Sequence, residues 1–321
     1  MLPDILQQRL ERLADGISLQ QLQADAELIS RRYRGERIAG QHLLTEERQA
    51  LAYALTRMPA TFGATEAALQ WSLACTGLRP RSLLDVGSGT GAAVWACGGL
   101  LQLEQITCLE REPAMRSIGM RLMRDIPGPL SGTRWLAGEL SAAPLPDRAD
   151  LVTETYVLNE LTEADRLRAV ESLWNAAGQM LLLVEPGTPD SWRMMMNLRR
   201  HLISLGAQPA APCACAGPCP IGGGDWCQFN ARIQRSRLHR LLKGGDAPYE
   251  DEKFTYLAFV RQDSRPVRAR VLRHPQIQKG RIGLTLCTES GVISRTVGKK
   301  EGELYRLARK CAAGDGLDIT E

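Results

Sequence analysis

The run LLDVGSGTGAAVW constrains this chain more than any other segment. An apolar stretch ends at Asp85, and Gly87, Gly89 and Gly91 follow before a second apolar stretch that suits a helix. Glycine adopts the left-handed backbone that a tight strand-to-helix turn demands, and without a Cβ it lets backbone N–H groups come close to a ligand. The following segments repeat the alternation. QITCLERE, DLVTETYVL and QMLLLVEPG are short apolar runs separated by stretches long enough for helices. Strands alternating with helices predict an α/β fold whose mostly parallel sheet is covered on both faces.

Residues 1–75 read as a helical region. ILQQRLERLADGI and ELISRRYR carry apolar residues at three- and four-residue spacing, and TEERQALAYALTRM opens on a threonine cap candidate. Pro59 interrupts the pattern, and a further helix runs through ATEAALQWSLACTG. Residues 76–205 hold the alternating segments and end in the helix of PGTPDSWRMMMNLRRHLISLG. Residues 206–321 read as a third unit. Its loop AQPAAPCACAGPCPIGGGDWC is too rich in Pro, Gly and Cys for regular structure. FNARIQRSRLHRLLKGG then reads as a basic helix, and FTYLAFVRQ, VRARVLRHP, GRIGLTLCTESG and VISRTVG as strands of a small β-rich subdomain.

With 321 residues, 44% hydrophobic and 24% charged, the chain has ample material for a packed core, which excludes disordered and fibrous readings. No run approaches the roughly 18 to 20 apolar residues of a membrane span, and MLPDILQQRLERLADG lacks the layout of a signal peptide. The expectation is a cytoplasmic protein, off the membrane and monomeric. The net charge of +4 hides an asymmetry: from Asp190 onward there are 22 basic against 13 acidic residues, net +9, leaving −5 on residues 1–189. A basic C-terminal part suggests a polyanionic partner.

The form D-x-G-x-G-x-G at Asp85 to Gly91 resembles the first motif of class I S-adenosylmethionine-dependent methyltransferases more than the glycine pattern of dinucleotide enzymes. Glu110 ends the next strand, 25 residues after Asp85. An acid there can accept hydrogen bonds from both ribose hydroxyls of an adenosine. The resemblance places Asp85 near the methionine end of that ligand, and Gly87, Gly89 and Gly91 against it. The loop ETYVLNEL after the fourth strand contains neither an Asn/Asp-Pro-Pro-aromatic signature nor a Pro-Cys nucleophile. Asn159 and Glu160 occupy the corresponding position and are the catalytic candidates, their role undetermined.

Nine cysteines require an account in a reducing compartment. Cys75, Cys97, Cys108 and Cys311 are scattered and read as small buried apolar residues. Cys213, Cys215, Cys219 and Cys227 fall within fifteen residues. That segment has no C-x2-C hook of the kind zinc sites use, and irregularly spaced thiolates on a long loop suit a larger unit such as an iron–sulfur cluster with four cysteine ligands. Either Cys215 or the distant Cys287 can supply the fourth ligand, and zinc is the alternative metal. Of the four histidines, His42, His201, His239 and His274, none shows metal-ligand spacing; His239 alone is placed to join the basic face.

RMPATFGA, LLDVGSGTG, YVLNEL, EPGTP, APC-x5-CP-x5-WC-x-F, the basic stretch and YEDEKFTYL together resemble the methyltransferase-like proteins of the mitochondrial small ribosomal subunit and their bacterial relatives, the Rsm-twenty-two type. The similarity runs from about Tyr53 to Lys310. It implies a Rossmann-like methyltransferase domain, a [4Fe-4S] cluster and association with the small subunit or its 16S-type rRNA. Matched by motif, the ligands are Cys213, Cys219, Cys227 and Cys287; Cys215 falls where relatives often have His and is the substitute ligand. The resemblance leaves two activities open, rRNA methylation and non-catalytic subunit assembly with a relic cofactor pocket. A zinc-containing methyltransferase acting on another substrate is a third reading.

The RNA-facing residues read from the sequence are Arg232, Arg235, Arg237, Arg240 and Lys243, with Arg265, Arg268, Arg270 and Arg273 following in the tail. Guanidinium and ammonium groups neutralise phosphates without reading sequence. Glu250, Asp251 and Glu252 interrupt the basic stretch and are placed to pair with its arginines. Trp226 is expected to shield the cluster from water.

Overall fold

The computed structural model describes residues 2–34, 44–140, 145, 148–262 and 267–318, so His42 and Arg265 lie outside the described residues. The N-terminal helices are α1 (Asp4–Ala14), α2 (Leu19–Arg34), α3 (Glu47–Thr56) and α4 (Met58–Thr76). The N-cap of α3 is Glu46, so Thr45 does not cap it. Pro59 sits in the first turn of α4, where its missing N–H costs nothing; it starts that helix and does not interrupt one. Helix α4 is apolar on most faces and buried along most of its length, which suits an element enclosed by others.

Eight strands make the main sheet: β1 (Ser82–Val86), β2 (Gln105–Glu110), β3 (Arg134–Ala137), β4 (Ala149–Thr155), β5 (Ala177–Pro186), β6 (Gln208–Ala211), β7 (Phe229–Gln234) and β8 (Tyr249–Val260). Their order is β3-β2-β1-β4-β5-β8-β6, with β7 also on β8. Strands β1 to β5 run parallel and β8 runs antiparallel to β5. The helices α5 (Ala92–Leu100), α6 (Pro113–Met123), α7 (Glu163–Ala176) and α8 (Pro189–Ser204) fill the crossovers. Successive strand residues enter different cores: Leu83 and Leu182 pack with α3 to α6, whereas Leu84 and Leu183 pack with α7 and α8. This is the two-faced burial of a Rossmann-like α/β sheet. Its order reverses between β1 and β4, and the crevice at the carboxyl ends there is the place such sheets bind ligands.

Two segments differ from the sequence reading. FNARIQ is strand β7, not the start of a helix, and the helix α9 spans only Arg237–Lys243. FTYLAFV belongs to β8 in the main sheet, which therefore extends well past residue 205.

The second sheet is small and antiparallel, with β9 (Ala269–Val271), β10 (Gln276–Gln278), β11 (Arg281–Thr288), β12 (Val292–Gly298) and β13 (Gly316–Leu317) covered by α10 (Glu303–Lys310). Strand β11 is central, with β12 along one edge and β10 and β9 sharing the other. Ile282, Leu284, Leu286 and Val297 form its own core with Ala308 of α10. Cys287 and Leu272 instead join the main core, and the Trp71 indole N–H donates to Asp315 Oδ1 at 3.2 Å.

Candidate cofactor pocket and cysteine cavity

The turn after β1 is built from left-handed glycines, with φ of 73° at Gly87, 55° at Gly89 and 90° at Gly91. The Gly87 and Ser88 amides donate to Leu109 O of β2 at 2.8 and 3.2 Å, and the Ser88 hydroxyl donates to Asp85 O at 2.8 Å. A Cβ on Gly91 would stand 2.3 Å from Met123 Cε, the flexible end of that side chain, so the φ of 90° favours glycine there more than packing does. A Cβ on Gly89 would meet Met115 Cε at 3.6 Å and Tyr53 Cε1 at 4.0 Å, both ordinary contacts. At Gly89, then, packing alone does not forbid a side chain.

Asp85 is fully buried at the end of β1. Its Oδ1 accepts from the Thr153 hydroxyl at 2.6 Å, its Oδ2 has no partner among the described residues, and burial pushes its carboxyl up to about 6. An orphaned buried oxygen at this position fits a ligand that brings a hydrogen-bond donor. Glu110 accepts the Gly89 amide at 2.7 Å and the Glu112 amide at 2.8 Å, one on each carboxylate oxygen, and burial raises its pKa. Each oxygen keeps a lone pair for a further donor such as a ribose hydroxyl.

At the ends of β4 and β5 lie two fully buried carboxyls, Glu154 and Glu185. Glu154 Oε1 accepts the Val157 and Leu158 amides at 2.7 and 3.0 Å. Glu185 accepts the Asn159 side-chain amide at 2.6 Å and its backbone amide at 3.3 Å. Burial pushes both carboxyls up, Glu185 to about 7, and their mutual charge adds to the rise at Glu154. The pair fixes the turn carrying Asn159 and Glu160. Tyr156 opens that turn at φ 62°, a strained value for a residue with a side chain, and its hydroxyl donates to Glu252 at 3.0 Å. Asn159 is thus tied to β5, with one of its two side-chain amide hydrogens used.

The cysteine loop owes its position to β8. Strand β6 pairs with the outer edge of β8 at residues 258–260 and β7 at residues 249–254, so residues 255–257 have no strand on that side. The loop joining β6 to β7 fills this gap. Cys213, Cys215, Cys219 and Cys227 of the loop line a small cavity of about 30 Å³ with Cys287 of β11. The sequence-predicted ligands, both fourth candidates included, are therefore brought to one place. Among the described residues no three His, Cys, Asp or Glu side chains converge tightly enough for a single metal ion; the thiols ring the cavity. Burial pushes the Cys287 thiol up to about 12, Cys227 well up and Cys219 up, so metal binding would have to displace their protons.

Three polar groups in the cavity wall were not legible as such. Arg270 is 1% exposed and donates from Nε to Pro212 O at 2.9 Å, from Nη1 to Gly314 O at 2.8 Å and from Nη2 to Cys75 Sγ at 3.3 Å. Arg199 is also buried, with Nε 3.3 Å from Cys213 Sγ and Nη2 donating to Cys215 O at 2.7 Å. Neither guanidinium has a carboxylate partner among the described residues. The buried Tyr256 hydroxyl lines the same cavity with no partner among them. Two buried cations and a free phenol around a set of thiols fit an anionic occupant, and a metal cluster held by four thiolates is anionic. Trp226 does not line the cavity; its indole N–H donates to Gly187 O at 2.9 Å.

The basic residues are dispersed. Arg232 and Arg235 are on or just after β7, not on a helix. Arg232 makes a two-pronged pair with Asp251 at 2.8 and 3.0 Å, while Arg235 and Lys243 reach Glu250 at 3.1 and 2.7 Å. Arg237 is exposed and Arg240 half-buried on α9. His239 is 2% exposed, and burial lowers its pKa to about 4, so it is not part of a cationic face. In the tail, Arg270 faces the cysteines, Arg273 pairs with Asp225 and Arg268 with Asp318. Cys97 and Cys108 are core residues as expected, but Cys75 and Cys311 are half-buried.

The sheet order and the glycine turn with its acid on the next strand define the class as a Rossmann-like, class I methyltransferase fold. More narrowly, the chain belongs to the family described as mitochondrial small ribosomal subunit Rsm22, whose family model matches residues 47–318. It is 28% identical over 301 residues to the human ribosome assembly protein METTL17, mitochondrial, covering 87% of this chain and 64% of that protein. It is 23% identical over 289 residues to the mitochondrial Rsm22-cox11 tandem protein 2 of Schizosaccharomyces pombe, covering 74% of this chain and 38% of that one. The chain thus spans less than two thirds of the length of these relatives. Among solved structures it is similar to the Synechocystis magnesium protoporphyrin IX methyltransferase with bound SAM, with TM-score 0.42, 12% identity and coverage of 74% of this chain and 97% of that one. It is likewise similar to the plantazolicin methyltransferase BpumL in complex with SAH, with TM-score 0.43, 11% identity and coverage of 76% and 98%.

These relatives correct the cytoplasmic expectation, because the family and both curated relatives are described as mitochondrial. The sequence argument rested on the lack of an apolar span and of a signal-peptide layout, and both are as compatible with an organelle interior as with cytoplasm. Among the described residues no helix is long and apolar enough to cross a membrane.

Proposed function

We propose that this chain is an S-adenosylmethionine-binding, methyltransferase-like protein that holds a [4Fe-4S] cluster and engages the rRNA of the small ribosomal subunit during its assembly. The observation that carries the reading is the meeting of Cys213, Cys219, Cys227 and Cys287, drawn from two sheets, on one cavity with buried Arg199 and Arg270 in its wall. Four cysteines ringing a space suit a multi-iron unit better than the point convergence that zinc needs. Cys215 is the reserve ligand.

The pocket at the end of β1 supports the cofactor half. Asp85 Oδ2 would accept from the ammonium of the methionine part, Glu110 from the ribose hydroxyls, and the bare face of Gly89 would leave room for the ligand. When bound, the cofactor supplies a methyl group on a sulfonium, and the protein's share of such a transfer is alignment and exclusion of water. A second reading, an assembly factor that binds the cofactor without transfer, is favoured by one observation: the Asn159 side chain, at the turn where a target would be positioned, is held on Glu185 by one of its two amide hydrogens.

Small-subunit precursor particles incubated with the purified protein and methyl-labelled S-adenosylmethionine test the proposal. Co-sedimentation with particles and cofactor binding are expected; label in the rRNA selects the enzyme and its absence the assembly factor. Failure both to associate with particles and to bind cofactor overturns the reading, and one zinc per chain in place of iron overturns the cluster.

A further inference from the structure

The basic excess that the sequence places on a helix lies elsewhere in three dimensions. Arg232, Arg235 and Lys243 spend their charge on Glu250 and Asp251. The described part of the second sheet, residues 267–318, carries 11 basic against 5 acidic residues. Four of these cations gather at one end of it. Lys279 is in the two-residue turn between β10 and β11, Arg281 starts β11 opposite Gly298 of β12, and Lys299 and Lys300 follow that strand. The Lys299 amide donates to Gly280 O at 3.1 Å, which closes the two turns on each other. All four side chains are exposed, and none has a carboxylate within 4 Å among the described residues. Beside them Ile277, 62% exposed, is the most exposed large apolar side chain described.

We infer that this end of the second sheet, Lys279, Arg281, Lys299 and Lys300 with Ile277 beside them, is the surface on which the protein takes the phosphate backbone of RNA. The inference rests on the rRNA reading above and names its surface. Four cations without a carboxylate partner among the described residues, on two mutually braced turns, present a dense positive charge, whereas the paired residues of β7 and α9 would first have to break their ion pairs. Cationic side chains that neutralise phosphates release counterions, so affinity gains a steep salt dependence. The exposed apolar side chain offers contact to a sugar or base face without sequence readout. The surface is also well separated from the metal chemistry: Arg281 and Cys287 are six residues apart on β11, roughly 20 Å at strand rise.

The test uses the full-length protein, purified without air, and a 16S-type rRNA transcript, with affinity measured by fluorescence anisotropy from 50 to 300 mM KCl. The variants are a triple Lys279→Gln, Lys299→Gln, Lys300→Gln and a comparison triple of the paired cations, Arg232→Gln, Arg235→Gln, Lys243→Gln. The first is expected to lower the slope of log affinity against log salt by about 2 to 3 and to weaken binding roughly 50-fold or more at 0.15 M salt. Its iron content should stay at the wild-type level, and the comparison triple should change affinity less than about threefold. Affinity and slope within twofold of wild type in the first triple, or a larger loss in the comparison triple, overturn the inference. If the wild-type protein binds no rRNA, the rRNA reading falls and this inference with it. A first triple that loses binding to an acidic polypeptide while keeping rRNA affinity assigns the surface to a protein partner and also overturns it.

Discussion

Replacing Arg270 with Met is the perturbation whose sign depends most on what fills the cysteine cavity. The side chain is 1% exposed, its three hydrogen bonds go to two carbonyls and a thiol, and no carboxylate balances its charge among the described residues. With an anionic cluster in the cavity, the guanidinium is half of a buried ion pair. Removing one partner of such a pair costs about 3–5 kcal/mol, which for a chain of this size lowers Tm by about 6–20 °C. With neutral thiols alone, the same guanidinium is an uncompensated buried cation, and Met of similar length relieves a desolvation cost that offsets the lost carbonyl bonds. The shift then stays within about 4 °C and can be upward. The assay is thermal unfolding of wild type and Arg270→Met, each purified without air and each again after iron removal by a chelator. The reasoning requires a large drop in the iron-loaded pair and a small change in the iron-free pair. Equal drops in both would refute it, because Arg270 would then act through its carbonyl bonds alone.

Other perturbations probe the remaining parts. Gly89→Ala places a side chain at φ 55° with only ordinary contacts to Met115 and Tyr53, so it should cost about 1–2 kcal/mol of stability, while affinity for S-adenosylhomocysteine by calorimetry falls at least tenfold. Unchanged affinity would mean that the turn holds no cofactor. Glu185 keeps its proton to about 7 when folded against 4.5 ordinarily, so its contribution is present below pH 4.5 and is lost as pH rises through 7. Burial pushes Glu154 well up too, so Glu154→Gln, which keeps the acceptor for the Val157 and Leu158 amides, removes a second carboxyl of the same sign, and the fall in Tm between pH 5 and 8 should shrink; an unaltered pH profile would count against a protonated Glu154. Cys287→Ser should reduce bound iron from about four per chain to below one, whereas Cys215→Ser should leave it within about a fifth of wild type. The opposite pattern would move the fourth ligand to Cys215.

What could be read from sequence was what depends on near neighbours. The turn at Asp85 to Gly91 and the acid at Glu110 are local signals at the ends of consecutive parallel strands, and both lie where the alternation puts them. Strand β7 was also legible in principle: Phe229, Ala231 and Ile233 are buried and alternate with exposed Asn230, Arg232 and Gln234, a period of two. The density of arginines through Arg240 masked it as one long helix. Strand β8 was misassigned because its first half, YEDEKF, is acidic and its second half apolar, which local pattern reads as two segments. The meeting of Cys287 with the loop cysteines depends on how two sheets dock, and spacing carries no trace of it. Arg270 was least legible: between Ala269 and Val271 it looks like a surface residue of an alternating strand, and only the packing of the second sheet on α4 and the cysteine loop buries its outer face.

The most direct test of the account is the count of iron and acid-labile sulfide per chain in wild-type protein purified without air. The account predicts about four of each. Less than one iron per chain with no labile sulfide, whether or not one zinc is present, would contradict it.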